Sequence, residues 1–565
     1  MAVDAFTLAV IQNALIGVAH EMKLMTMRAA YTQLWKEQGD LSCCVMDARG
    51  EIVAQDPTGF PIHVTTMPFQ LHGLIAAIGA NALQPGDVLM TNDPFLGGTH
   101  LPDVLLVRPL FWAGDLYGFL CNRGHWADIG GMGPGSYSPA TRELIQEGIV
   151  IPPVKLFVND QLQQPLVNLV VRNVRNASVA LGDLRAQYAS CFNGERRLAE
   201  LIGRYGLPVI REAMAEILSR SEQLTRVRIA AFTDGTYHAR DCIDGDGLSD
   251  EPQWIDARVT IEGSSLTVDL SGSSDQSKGG MNCSRASAIS GVQYAIKSIT
   301  DPENPPNAGS YRPVTVLTRP GTLCDAVPPG SMVGFGEITY RVLDTVMRAL
   351  ADAAPGAVLA SGSGSTGTAV VGGSDSRPEA RKRNFLTLEL SSGAYGARAS
   401  KDGIHAIRYG AGNAGHVPIE ADEMENPLLF ERYEIVADTG GAGRFRGGNG
   451  FCRVFRVLAD GASICLCADR HKTPPPGVFG GQAGSTARYV LDPGTPHERV
   501  LPSKTPYVPL APGTLVWLQS AGGGGYGDPL ERDRTLIERD LRDGYVSVER
   551  AEAVYGYRPD PPPNT

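Results

Sequence analysis

The N-terminal part of the chain alternates between helical and strand-like spacing of hydrophobic residues. Apolar side chains from Leu8 to Met22 keep close to helical spacing, which predicts a helix over residues 4–37. Gly39-Asp40 ends this helix and leaves the Asp40 carboxylate at a helix-to-strand junction. The same criteria predict strands over residues 41–47 and 51–55, a helix over residues 67–82 and a strand over residues 87–91.

Beyond residue 160, long helices give way to strands. Residues 165–205 and 207–232 predict two or three helices, and from Gly235 onward strand patterns predominate. The predicted strands cover residues 254–261, 265–270, 385–390, 433–436 and 515–519, and inserted helices are predicted at about 284–299 and 336–353. We therefore predict an α+β fold, with an N-terminal α/β metal-site region and a β-rich, glycine-rich C-terminal half. The predicted regions are 1–160, a helical segment 161–233, a β-rich region 234–530 and a C-terminal tail 531–565.

Side chains that bind metals are concentrated between Thr91 and Gly131. His100 and Asp103 follow a Gly-Gly turn, and His125 comes after a predicted hairpin of residues 104–112 and 116–123. Because a hairpin brings its two ends together, these three side chains are expected to converge. For any one of them alone, capping a turn or bonding the backbone is the favoured interpretation. The three together favour a site for zinc, manganese or iron.

Composition narrows the class of protein. The net charge of −11 and the absence of a Lys/Arg run argue against nucleic-acid binding. No segment has about 18 consecutive apolar residues, so no membrane association is predicted, and the expected location is cytoplasmic. The ten cysteines form no Cys-x-x-Cys pair, which indicates reduced thiols. Cys465 and Cys467, with His471 nearby, leave a second metal site open as the less favoured alternative to buried thiols.

Three glycine-rich segments resemble phosphate-binding loops only in composition. Residues 440–450 and 522–527 do not begin a convincing helix, so we interpret them as tight turns in which backbone approaches backbone. Residues 362–367 match the dinucleotide fingerprint, but no helical pattern follows them. The chain also contains no Gly-x-x-x-x-Gly-Lys-Ser/Thr motif. No nucleotide site is therefore predicted on this chain.

Several of these segments resemble one known family across nearly the whole chain. They are Asn92-Asp93-Pro94-Phe95-Leu96-Gly97-Gly98-Thr99-His100-Leu101-Pro102-Asp103, Gly124–Gly131, Pro305–Pro313, Glu431–Glu434 with Asp438–Arg444, and Gly522–Leu530. Together they resemble the hydantoinase B/oxoprolinase family. The sequence departs from the family pattern at Trp126, where many relatives repeat His, and at Glu337–Arg341.

The resemblance implies a metal-bearing subunit of an ATP-dependent enzyme that opens a hydantoin, 5-oxoproline or lactam ring. Metal-activated water would attack an ATP-activated amide. The implied ligands are Asp40, His100, Asp103 and His125. Zinc is the first expectation, with manganese or iron as alternatives. Asp128 and His63 are the candidates for proton transfer or ligand orientation.

The same resemblance implies a partner. ATP and magnesium would bind a hydantoinase A-type subunit, in an (αβ)₂ or larger hetero-oligomer. The alternative function is a subunit of an ATP-dependent acetone or acetophenone carboxylase.

Overall fold

The computed structural model describes residues 3–377 and 383–558, which form both helices and sheets. The helices are α1 Ala5–Ala29, α2 Gln33–Lys36, α3 Pro61–Val64, α4 Met67–Ile78, α5 Gln164–Arg172, α6 Ala177–Tyr205, α7 Leu207–Ile229, α8 Arg285–Thr300, α9 Phe335–Ala349, α10 Ile419–Glu425, α11 Arg534–Arg542 and α12 Val548–Tyr555. The strands are β1 Leu41–Asp47, β2 Ile52–Gln55, β3 Val88–Thr91, β4 Asp103–Trp112, β5 Asp115–His125, β6 Val154–Val158, β7 Gln161–Leu162, β8 Gly235–Ile243, β9 Gln253–Glu262, β10 Ser265–Asp269, β11 Val314–Leu317, β12 Thr368–Ser374, β13 Asn384–Leu390, β14 Leu428–Ile435, β15 Phe451–Val457, β16 Ala462–Cys467, β17 Arg488–Leu491, β18 Arg499–Leu501, β19 Lys504–Leu510 and β20 Leu515–Gln519.

A seven-stranded antiparallel sheet organises the N-terminal region, in the order β2-β1-β5-β4-β3-β6-β7. Side chains of β1 alternate between its faces, as strand geometry requires. Cys43 and Val45 join the main core with α1 and α6, whereas Cys44 and Met46 pack with Leu71 of α4. The sheet is therefore covered by helices on both faces.

Three further sheets make up most of the C-terminal half. The order β11-β10-β9-β8 forms one sheet, against which α9 packs. The orders β13-β12-β16-β19 and β14-β15-β20-β17-β18 form the other two. Val371 and Phe385 from one of these meet Phe455 and Leu518 from the other in a shared hydrophobic cluster. These two sheets thus enclose a second core.

The predicted helix over residues 4–37 is wrong at its C-terminal end. Helix α1 ends at Ala29, Ala30 is extended, and α2 begins at Gln33. The Asp183 carboxylate of α6 accepts hydrogen bonds from the backbone N–H groups of Tyr31 (2.7 Å) and Thr32 (3.3 Å). A contact with a residue about 150 positions away therefore breaks the helix, and helical spacing alone does not reveal it.

In the described part of the chain, one helix, α1, is long and apolar enough to span a membrane. Its Leu8, Ile11 and Leu15 side chains are buried in the protein core.

The predicted domain boundaries stay predictions, and one cluster of buried residues runs from Leu8 to Cys467. In the predicted tail, α11 and α12 form a small cluster with Ala442.

Glu147 holds the segment that leads into α9. Its buried carboxylate accepts hydrogen bonds from the Ser331 hydroxyl (2.6 Å) and the backbone N–H groups of Met332 (2.6 Å) and Val333 (3.1 Å). The other oxygen, Oε2, is buried without a partner among the described residues. Burial raises the pKa of Glu147 to about 7, although these hydrogen bonds oppose the shift.

We predict that Glu147 makes stability depend on pH. Its pKa is higher in the folded chain than the ordinary 4.5, so its stabilising contribution is complete below about pH 4.5 and is lost as the pH rises through about 7. The shift corresponds to about 3 kcal/mol at most. Glu147→Gln should therefore gain melting temperature relative to wild type between pH 5 and pH 8. Parallel curves of melting temperature against pH for the two proteins would contradict this assignment.

Candidate metal centre

The open end of the β4–β5 hairpin brings three of the predicted ligands together. Asp103, the first residue of β4, is the register partner of His125, the last residue of β5. His100 precedes β4 in a turn that the Asp103 backbone N–H closes on the His100 carbonyl at 3.1 Å. The indole N–H of Trp35 donates to the His125 carbonyl at 2.7 Å. Gly124 permits this packing, since a Cβ there would lie 2.2 Å from the Trp35 ring.

Three ligand atoms of this cluster form a nearly equilateral triangle. His100 Nε2 lies 3.1 Å from His125 Nδ1, and Asp103 Oδ1 lies 3.3 Å and 3.2 Å from these two atoms. Such edges match the spacing of ligands around an ion bound at about 2.0–2.2 Å, the usual distance for zinc. The predicted convergence of His100, Asp103 and His125 is confirmed, and the cluster could hold a metal ion.

Asp40 and His63 lie next to the triangle of His100, Asp103 and His125. The Asp40 carbonyl accepts the backbone N–H of His125 at 3.1 Å, because β1 is the other neighbour of β5. His63, in the short helix α3, places Nε2 at 3.3 Å from Asp103 Oδ2 and 3.9 Å from Asp40 Oδ1. Asp40 and His63 therefore lie beside the triangle, whereas His100, Asp103 and His125 form the group of described residues whose ligand atoms all lie within 4.8 Å of one another.

Several polar atoms of this cluster are buried without a partner among the described residues. They are Asp40 Oδ1, His63 Nδ1, His100 Nδ1 and His125 Nε2. A buried polar atom without a partner costs free energy, which a bound ion or substrate can offset. The triangle uses His100 Nε2 and His125 Nδ1, so the unpartnered nitrogens of these two residues are the opposite ones of each ring, and Asp40 Oδ1 is the unpartnered atom of a predicted ligand that could join the triangle. The donor types, two imidazoles and two carboxylates, fit a divalent cation.

The electrostatics favour the metal-binding protonation state for His100 and Asp103, and the protonated ring for His125. Burial lowers the pKa of His100, which keeps its imidazole neutral. Burial opposes ionisation of Asp103, but His63 and His100 hold the pKa of this carboxyl well below its usual range. For His125, burial is outweighed by Asp103 and Asp40, and the pKa is raised. Metal binding would displace a proton from His125 wherever the ring is protonated.

Asp128 is not brought to this cluster. Its Oδ1 accepts from the backbone N–H groups of Gly130 (2.9 Å) and Arg175 (3.1 Å). Its Oδ2 accepts from the Arg175 guanidinium (2.7 Å) and the Gly135 N–H (3.2 Å). All these contacts hold the 128–135 turn, and Asp128 does not line the cavity beside His100. Its predicted catalytic role stays a prediction, and the geometry favours a structural one.

A small cavity of about 40 Å³ opens beside the cluster. Asp40, His63, His100 and His125 line it on one side, and residues of the C-terminal half close it. Those closing residues are Phe335, Gly336, Tyr340, Thr366, Thr368, Leu388, Leu390 and Arg408, and the sequence analysis assigned none of them to the site. Tyr137 also lines the cavity, with its ring centre 5.6 Å from that of His100. Two signals were present: Tyr340 lies in the Glu337–Arg341 segment that departs from the family pattern, and Thr366 lies in the glycine-rich run 362–367.

Arg123 is a further residue that the sequence patterns did not single out. Its buried guanidinium donates to the His63 carbonyl at 2.8 Å and to the Thr66 and Gln70 side chains. Arg123 lies two residues before His125 on β5, so one strand carries a ligand and the support for α3. The position of Arg123 inside the His125 motif could have revealed it.

The remaining candidate sites behave as predicted. Cys465 and Cys467 are buried free thiols, and the Cys465 thiol donates to the Tyr137 carbonyl at 3.1 Å. The two glycine-rich runs pack backbone on backbone, with the Gly441 N–H donating to the Gly523 carbonyl at 2.8 Å. Strand β12, and not a helix, follows residues 362–367. These observations confirm the interpretation of buried thiols and tight turns.

Comparison with known proteins identifies the family. The sequence matches the model of the hydantoinase B/oxoprolinase family over residues 4–529. It is 31% identical to a putative D-/L-hydantoinase subunit of Pseudomonas sp. (strain NS671), over 98% of this chain and 95% of that one. It is 32% identical to the caprolactamase beta subunit of Pseudomonas jessenii, over 98% of this chain and 96% of that one. The chain belongs to the hydantoinase B/oxoprolinase family.

Solved structures agree with this assignment. The crystal structure of ATP-dependent caprolactamase from Pseudomonas jessenii matches with a TM-score of 0.92 and 30% identity, covering 99% of this chain and 97% of that one. A nucleotide-free structure of acetone carboxylase matches with a TM-score of 0.88 and 22% identity, covering 97% and 79%. The first likeness confirms the predicted α+β fold, and the second shows a shared fold. The chain therefore belongs to a family that includes ATP-dependent enzymes, and two of its relatives are named as subunits.

We predict that the cluster binds a metal that stabilises the fold. Replacing Asp40, His100, Asp103 or His125 by Ala should remove most of the bound metal and lower the melting temperature, because the ion links segments distant along the chain. Cys465→Ser and Cys467→Ser serve as controls and should keep the metal. Elemental analysis and thermal unfolding, with and without a chelator, measure both effects. Metal loss in the cysteine variants alone would contradict the assigned site.

Proposed function

We propose that this chain is the metal-bearing subunit of an ATP-dependent cyclic amidohydrolase that opens a hydantoin, 5-oxoproline or lactam ring. The observation that carries the proposal is the buried triangle of His100, Asp103 and His125 beside Asp40. The substrate class, cyclic amides, is supported by the relatives of this chain, which include a putative hydantoinase subunit and a caprolactamase subunit. The enzyme type is an ATP-dependent hydrolase that acts with a partner subunit.

Two imidazoles and two carboxylates would hold the divalent cation, with zinc first and manganese or iron as alternatives. When bound, such an ion supplies Lewis-acid chemistry and lowers the pKa of water towards about 7. The chain itself contributes the ligands, with the His100 imidazole favoured as neutral and the Asp103 carboxyl as ionised. It also contributes a wall of Phe60, Phe335, Leu388 and Leu390 that keeps bulk water from the cavity.

The reaction requires an activated amide, because an unstrained cyclic amide is a poor electrophile. The partner would transfer the γ-phosphoryl group of ATP to the amide oxygen. A water oxygen then bonds to the amide carbon, and the C–N bond breaks with its electron pair and a proton going to nitrogen. A second water displaces phosphate from the resulting acyl phosphate. The products are the open-chain carboxylic acid, ADP and phosphate.

His63 is the residue best placed to move a proton in these steps. Its Nε2 faces Asp103, its Nδ1 is buried without a partner among the described residues, and its ring stacks on Phe60 with centres 4.9 Å apart. A carboxylate that orients an imidazole is a common arrangement for general acid–base catalysis. The structure brings no comparable role to Asp128.

The nucleotide is proposed to lie on the partner, a hydantoinase A-type subunit that binds ATP and magnesium. This chain has no phosphate-binding motif in its sequence, and its glycine runs are occupied by backbone packing. An activated intermediate that was released into bulk water would be hydrolysed before it reached the second site. The two subunits should therefore form a large permanent interface, in an (αβ)₂ or larger assembly.

We predict that the purified chain, fully loaded with metal, neither hydrolyses ATP nor opens hydantoin or a lactam. Adding the partner subunit should restore both activities. A substrate panel of hydantoin, 5-oxoproline and caprolactam, assayed with and without ATP, measures this. Micromolar binding of ATP to the isolated chain, on the order of −8 kcal/mol, would show that the nucleotide site is not on the partner.

The alternative of a ketone carboxylase is tested in the same preparation. Its support is a likeness of fold to acetone carboxylase. The complex is supplied with labelled bicarbonate and either acetone or a cyclic amide. Ring opening without label in the product supports the amidohydrolase, whereas labelled acid formed from a ketone supports the carboxylase.

A separate prediction distinguishes His63 from Asp128. His63→Gln should keep the bound metal and lower kcat about 10²- to 10⁴-fold, with loss of a limb of the pH profile, because a proton carrier is removed. Asp128→Asn should lower the melting temperature while kcat stays within about tenfold, since it removes contacts to Arg175. Metal loss in His63→Gln would instead make His63 a ligand.

A further inference from the structure

A guanidinium that forms no ion pair with any described carboxylate lines the same cavity as the candidate metal ligands. Arg408 lies in the irregular segment between β13 and α10. Its Nε donates to the Tyr340 hydroxyl over a long 3.4 Å, and its guanidinium carbon lies 5.2 Å from the centre of the Phe60 ring. Its Nη1 is buried without a hydrogen-bond partner among residues 3–377 and 383–558. The structure therefore leaves a donor free at the cavity.

The charges at the cavity favour an anionic ligand once a metal is bound. Asp40 and Asp103 would then balance the divalent cation and the buried Glu337 carboxylate accepts from Thr366, so Arg408 has no ion pair of its own among the described residues. Burial opposes its positive charge, but Tyr340 and Asp40 raise the pKa of Arg408 above its ordinary value. A buried cation without a counter-ion is unfavourable, and an anionic ligand beside the metal would neutralise it.

Arg408 also lies between two cavities, because it lines one of them and its neighbours in the chain line the other. Phe60, Ile62 and Arg408 line the small cavity, which has room for roughly three water-sized groups. The alternating neighbours Gly59, Pro61, Ile407 and Tyr409 line a second cavity of about 640 Å³. The second volume is typical of pockets for small organic ligands, whereas the first admits only a reacting group.

We propose that Arg408 binds the phosphoryl group of the ATP-activated substrate beside the metal centre. The proposal rests on the function proposed above, in which the amide oxygen carries a phosphoryl group. The planar guanidinium presents paired donors that match phosphoryl oxygens, and the free Nη1 supplies one of them. Arg408 thus acts as a binding and positioning residue.

The first test uses the isolated, metal-loaded chain with inorganic phosphate as the probe. Phosphate should raise the melting temperature of wild type, and Arg408→Gln should lose this rise at unchanged metal content. Arg408→Lys should recover part of it. Arg432→Gln, an exposed arginine of β14 that lines neither cavity, should respond as wild type does. A phosphate response that survives in Arg408→Gln, or a response to acetate and not to phosphate, would overturn the proposal.

The second test uses the complex with the partner subunit. In Arg408→Gln, kcat for ring opening should fall about 10²-fold, the loss typical of removing one group that stabilises charge. ATP consumed per ring opened should rise, because the activated substrate is no longer retained; an unchanged ratio would count against the phosphoryl role. If the complex opens no cyclic amide while phosphate binding still requires Arg408, the proposed function fails and the phosphoryl site stands.

Discussion

The antiparallel pairing of β4 with β5 is the constraint on which the candidate metal centre depends. Because Asp103 and His125 are register partners, their side chains meet at the open end of the hairpin, and the preceding turn adds His100. The neighbouring strand β1 then brings Asp40 through its backbone contact with His125. A slip of one residue in this register would turn a ligand to the opposite face of the sheet.

The cost of burying charge shapes the surroundings of this cluster. Carboxylates, imidazoles and a guanidinium all lose hydration inside the fold, and such groups are retained when they pair with each other, with a metal or with a substrate. Arg123 donates three hydrogen bonds to His63, Thr66 and Gln70, although its Nε has no partner among the described residues. Arg408 differs in lining the cavity, with Nη1 unpartnered among the described residues, and that position makes it available to a ligand.

The two halves of the chain have complementary roles at the site. The N-terminal sheet supplies every candidate metal ligand, and the C-terminal half supplies the cover, including Phe335, Thr366, Leu388 and Arg408. Glu147 connects them, because it lies in the N-terminal region and binds the segment before α9. The candidate metal ligands and the residues that close the cavity therefore belong to different parts of one continuous core.

The long helices and strands, the hairpin and the free thiols could be predicted from the sequence alone. Helical and strand periodicity located most long elements, and a hairpin between His100 and His125 was enough to predict their convergence, because strand pairing over a short loop is a local property. Cysteine spacing likewise predicted free thiols. Contacts between side chains that are distant along the chain became visible only in the tertiary structure. Asp183 ends α1, Asp128 pairs with Arg175 away from the metal cluster, and Arg408 faces His125 across hundreds of residues. Such contacts depend on how sheets and helices pack, which the period of hydrophobic residues along the chain does not encode.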